Sequence, residues 1–122
     1  MTAVEIGTYA SAVYFAGFGL GFVVRPAFVD QFALEWTDPA GKTEVRCYYG
    51  AVSVALSAFL IYLAANDLAR EALTGVLFLA SAVLATRIVG TLVDGGRSHS
   101  YTRMALPVET AFVATLLVAR LV

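Results

Sequence analysis

Three ionisable side chains fall inside long apolar stretches of this sequence: Arg46, Arg87 and Glu109. A charge in hydrocarbon costs about 2.5–3.5 kcal/mol on insertion scales, so such residues usually face a bundle interior and find a partner there. Two guanidinium groups and one carboxylate leave an excess of +1. An Arg–Glu pair can tie two helices together, and an unmatched guanidinium offers a rigid fork of donors to a carboxylate or phosphate. More polar residues stand nearby: Glu44, Tyr48 and Tyr49 flank Arg46, and Asp94 follows Arg87 at the end of the same apolar run. On an ideal helix Arg46, Gly50, Ser53 and Ser57 share one stripe, with Gly50 leaving room above the guanidinium. Three readings fit these residues. Arg87 and Glu109 form a plain interhelical ion pair while Arg46 snorkels to the headgroups; or the set holds a ligand; or Glu109 serves a catalytic or proton-carrying step.

The elements that would position these residues are four apolar runs, 6–24, 45–65, 72–93 and 104–122. Each is near the ~20 residues that span a bilayer. All are expected to be helical, because an open strand leaves backbone groups unpaired in lipid. None alternates apolar and polar residues as a barrel strand does. Successive spans run antiparallel, so both termini and the 66–71 connection share one face, side A, and the other connections lie on side B. Arg46 is one residue into the second run, Arg87 six before the end of the third, and Glu109 five into the fourth. At 1.5 Å per residue all three lie within roughly 10 Å of side B.

The connections are read from their composition. Asn66–Glu71 is short enough for a tight hairpin, and Asp94-Gly95-Gly96 signals a turn. Between the first two spans, Pro26 opens a stretch in which Phe28, Phe32 and Trp36 recur every four residues. That spacing predicts an amphipathic helix lying in the interface. Asp38-Pro39 has the form of a helix cap and first turn. Gly17 and Gly21, and the repeat Ala82, Thr86, Gly90, are small residues of the kind that let membrane helices approach closely, within the bundle rather than between copies.

Composition supports the same class. Of 122 residues, 60% are hydrophobic and 14% charged, against about 25% charged in an ordinary soluble domain. A soluble chain this short has no interior for so much apolar surface. The expected fold is all-α: an integral membrane four-helix antiparallel bundle with one amphipathic interfacial helix between the first two spans, forming a single domain over 1–122. Met1–Glu5 carries no Lys or Arg, so no secretory signal peptide is read there. With a net charge of −1 and no basic stripe, nucleic acid is not an expected partner. Cys47 stands alone and reads as a buried, inert thiol, and His99 as a solvated loop residue. No phosphate loop, dinucleotide fingerprint, zinc motif or bis-histidine haem site is present, so no cofactor and no metal is expected.

The pattern Glu44-x-Arg46-x-x-Tyr49-Gly50, then Arg87 with Asp94-Gly95, then Glu109 after Pro107, resembles a family of small four-helix bacterial membrane proteins. That family carries only a domain-of-unknown-function label and is similar, at a distance, to the DoxX group. Ala51 stands where a second glycine would be expected. The resemblance covers nearly the whole chain. It implies a four-helix membrane bundle and a bacterial inner-membrane location; it implies no reaction. The site residues taken together are Arg46, Arg87, Glu109, Tyr49, Asp94 and Glu44. The expected function is a binding module that holds an anionic lipid headgroup or a small amphipathic ligand at this cluster. The alternatives are an accessory subunit of a larger membrane complex or a homo-oligomer, and a proton-coupled carrier or membrane enzyme using Glu109. Side B carries Arg25, Lys42, Arg97 and Arg103 against Arg70 and Arg120 on side A, which predicts a cytoplasmic side B and non-cytoplasmic termini.

Overall fold

The computed structural model describes residues 1–122. The chain is all-helical, with no strands. Its four long rods are α1 (Ala3–Val24), α2 (Pro39–Ala65), α3 (Ala69–Asp94) and α4 (Ser100–Leu121), each long and apolar enough to cross a bilayer. The fold fits an integral membrane protein. The rods reach past the apolar runs at their polar ends, most of all in α2, because helix starts are set by caps and not by hydropathy. Asp38 accepts a hydrogen bond from the Ala40 N–H at 2.8 Å, with Pro39 in the first turn. Thr2 and Glu5 form a reciprocal capping box at the start of α1. The His99 imidazole, in what reads as a free loop, accepts from the Tyr101 N–H at 3.2 Å and caps α4.

The connection after α1 is helical but tighter than an α-helix. Pro26–Phe32 is a 3-10 helix, stopped at Ala33, which takes a left-handed conformation with φ 59°. Three residues per turn do not keep a four-residue repeat on one face. Phe28 and Phe32 both reach Phe22 on α1, at ring-centroid distances of 6.2 and 5.5 Å. Trp36 lies apart, next to Gly41 and 6.0 Å from the Lys42 ammonium.

A second irregularity lies within α2. Arg46–Ala51 forms a π turn, in which the Val52 N–H donates to the Cys47 carbonyl. The turn sits where α2 crosses α1. A Cβ on Gly19 would lie 2.6 Å from the Gly50 carbonyl oxygen, and one on Gly50 would lie 2.6 Å from Val23 Cγ2 and 3.0 Å from the Val23 nitrogen. Gly19 and Gly50 are therefore the close-approach residues. Gly17 has no neighbour within 4 Å of its Cβ position, and Gly21 meets only the ring edge of Phe28.

Packing is uneven along the bundle axis. Ala12, Leu60, Ala72, Leu73, Val76 and Leu116 form a buried cluster in the half nearer side A. There the Thr8 hydroxyl donates to the Ala69 carbonyl at 3.0 Å, and Ser57 donates to the Ala12 carbonyl at 2.6 Å. The buried residues of α3 are Ala69, Ala72, Leu73 and Val76, and none follows Val76. Beyond that point α3 leaves α1 and α2, and the bundle opens toward side B. Ala82 and Thr86 are exposed on its outer face, and Gly90 meets only Asp94 of its own helix. Replacing Ser57 by alanine removes one interhelical hydrogen bond, and bonds of this kind in membrane bundles contribute about 0.6 kcal/mol on average. A thermal melt in detergent is expected to show a small loss of that order, with the fold retained.

Candidate functional site

The Arg87 and Glu109 side chains meet where α3 and α4 run side by side. The Nε–H of Arg87 donates to Glu109 Oε2 and its Nη2 lies against Oε1, both at 2.7 Å, in a bidentate fork. Pro107 comes two residues earlier in α4 and has no N–H to give the preceding turn. The pair is not sealed off: the two side chains keep 26% and 24% of their surface.

The pair forms part of the wall of a cleft of about 670 Å³. Opposite and around it are rings: Tyr14, Phe15 and Phe18 from α1, Phe32 from the 3-10 helix, Tyr49 from the π turn, and Tyr101 from the first turn of α4. The Arg87 guanidinium lies over the Tyr101 ring, 5.2 Å from its centroid. Tyr101 packs on Phe32 at 4.4 Å, Phe32 on Tyr49 at 5.9 Å, and Tyr14 on Phe112 at 5.6 Å. The half of the bundle that lacks an aliphatic core is thus lined by aromatic rings around one ion pair.

Of the residues singled out from sequence, Arg87, Glu109 and Tyr49 line this cleft. Arg46, Glu44 and Asp94 do not; all three are exposed. The π turn explains Arg46. It begins at Arg46 and ends before Ser53, so the extra residue per turn rotates Arg46 off the stripe that Gly50, Ser53 and Ser57 bury against α1. Gly50 makes room for α1 instead of for a guanidinium. Cys47, on the same turn, is exposed and not buried. Tyr101, Tyr14, Phe18 and Phe32 were not among the sequence candidates. Tyr101 falls in a polar stretch before the fourth apolar run, and its only local signal is the helix cap two residues earlier.

Chemically the site offers donors. Guanidinium has five N–H groups; Glu109 takes two of them in the fork described, and Arg87 itself lines the cleft. Tyrosine hydroxyls from Tyr14, Tyr49 and Tyr101 add groups that both give and accept hydrogen bonds. No group of three or more His, Cys, Asp or Glu side chains converges to hold a metal ion.

A family model described as "Domain of unknown function (DUF4345)" matches residues 3–120, which takes in the whole cleft and every helix but for the last residue of α4. No curated protein and no solved structure matches the chain.

Proposed function

The chain belongs to the DUF4345 family of domains of unknown function, and from that premise we propose that it is a membrane-embedded binding module for a small amphipathic ligand, whose polar head meets Arg87 and whose apolar body lies against the aromatic wall. One observation carries the reading: a bidentate, partly exposed ion pair opens onto an aromatic-lined cleft of about 670 Å³. Ligand pockets typically enclose about 300–1,000 Å³, mostly apolar with a few convergent polar groups. A pair that served only to join α3 to α4 would be expected to sit in close-packed surroundings.

The test is native mass spectrometry of protein released from nanodiscs, with the double variant Arg87→Met/Glu109→Leu as comparison. The expected result is a small amphiphile retained by the unaltered protein and absent from the variant, which keeps its helical content. Retention by both, or by neither, would count against the proposal. Acyl-chain masses matching the host bilayer would identify the occupant as a lipid and not a free amphiphile.

We further propose that side B faces the cytoplasm of a bacterial inner membrane, on the excess of Lys and Arg in its connections. A reporter fused within 66–71 is then expected to be active as a secreted enzyme and dark as a cytoplasmic fluorophore. The opposite pattern would reverse the orientation.

A further inference from the structure

We infer that the occupant of the cleft carries an uncharged hydrogen-bonding head, a hydroxyl or carbonyl and not a carboxylate or phosphate, and that it arrives sideways from the bilayer through the gap between Tyr48 and Val83. The inference rests on the reading of the cleft as a binding site.

The head follows from charge balance. Both carboxylate oxygens of Glu109 are already on Arg87. Arg46, which would have left a spare positive charge, is exposed and outside the cleft. The lining therefore supplies one guanidinium and one carboxylate, together with the His99 imidazole, whose Nδ1 is taken up in capping α4. An anion on the Arg87 guanidinium would sit within a few ångströms of the Glu109 carboxylate and be repelled by it. It would also lose its hydration without an unmatched cation to replace it. A hydroxyl or carbonyl avoids both costs. It accepts from the free guanidinium N–H groups, and a hydroxyl can also donate to a tyrosine oxygen.

The route follows from where the wall is missing. At side B, Phe32 packs on Tyr101 at 4.4 Å, and the exposed Leu34, Gly96 and His99 also line the cleft there. Val83 on α3 and Tyr48 on α2 both line the cleft, yet they are 42% and 70% exposed. They lie in the part of the bundle where α3 has left α2, after its last buried residue Val76. Val83 is eleven residues from the end of α3, about 16 Å along the helix, so the gap opens onto hydrocarbon. A ligand that dissolves in the bilayer reaches Arg87 without crossing water.

Two photoactivatable probes with the same alkyl chain, a dodecanol and a dodecyl phosphate, would be added to the protein in nanodiscs and the labelled peptides mapped. The dodecanol is expected to label the cleft residues several-fold more than the phosphate. Val83→Trp, at a lipid-facing position, should narrow the gap and reduce labelling several-fold, while Val89→Trp on the same helix but outside the cleft should not. Tyr48→Ala should widen the gap and speed labelling, which keeps the route testable if the tryptophan variant folds poorly. Equal or stronger labelling by the phosphate would overturn the uncharged head. Labelling rates unmoved by Val83→Trp and Tyr48→Ala would overturn the lateral route. Failure of both probes to label the cleft at all would overturn the binding reading itself.

Discussion

Gly19→Ala is expected to be the most damaging single-methyl change in this protein. The added carbon would stand 2.6 Å from the Gly50 carbonyl oxygen and 2.8 Å from the Val54 nitrogen. These are backbone atoms, so no side chain can rotate out of the way, and α1 must move off α2. Overpacking a close-packed interface typically costs about 1–3 kcal/mol, and a backbone clash belongs at the upper end. Gly50→Ala should behave similarly, against Val23. Gly17→Ala is the control. Its Cβ position is empty to 4 Å, and replacing a mid-helix glycine by alanine favours the helix by about 0.8–1 kcal/mol, so its melting temperature should hold or rise. Melting curves in one detergent would decide. Equal losses from Gly17→Ala and Gly19→Ala would mean that the helices cross on the Gly17/Gly21 face.

The second large effect concerns the ion pair. Glu109→Gln should destabilise the bundle by leaving Arg87 without its counter-charge, and Arg87→Ala should do so by stranding the carboxylate. Breaking a fully buried pair in soluble proteins costs about 3–5 kcal/mol. Here a quarter of each side chain is exposed, so a loss of about 2 kcal/mol is the expected size. The double variant Arg87→Met/Glu109→Leu should recover most of that loss, because removing both charges also removes the cost of burying them. A double variant as unstable as the sum of its singles would show that the two residues are not coupled.

Much of this architecture is legible in the residues. Four runs of membrane-spanning length specify four rods, since lipid allows no other secondary structure for them. Common depth pointed to Arg87 and Glu109, and they meet at 2.7 Å. Four features escape the same reasoning, each for a definite cause. The stripe through Arg46 assumed a constant helical period, and the π turn breaks it. The repeat Phe28, Phe32, Trp36 assumed 3.6 residues per turn, but the chain adopts the tighter 3-10 winding and stops at Ala33. The Gly17/Gly21 spacing identifies a smooth helix face but not what lies opposite it. The glycine that matters, Gly19, has its counterpart 31 positions away at Gly50, beyond the reach of any local motif. The aromatic lining is gathered from α1, the 3-10 helix, the π turn and α4, so only the tertiary fold brings it together.

The uneven packing of α3 makes that helix a lever. Its fulcrum is the closed end, where Ala69, Ala72, Leu73 and Val76 are buried and Thr8 is bonded to the Ala69 carbonyl. The free arm extends from there to Asp94. The whole rod of 26 residues is about 39 Å long, so a swing of about 5° shifts its far tip by about 3 Å while the fulcrum scarcely moves. Such a swing would carry α4 with it, because the fork between Arg87 and Glu109 ties the two helices. The exposed thiol of Cys47 sits on the stationary arm. A spin label there, paired with one near the end of α3, would read the angle of the lever directly, as a distance that lengthens when the cleft is filled.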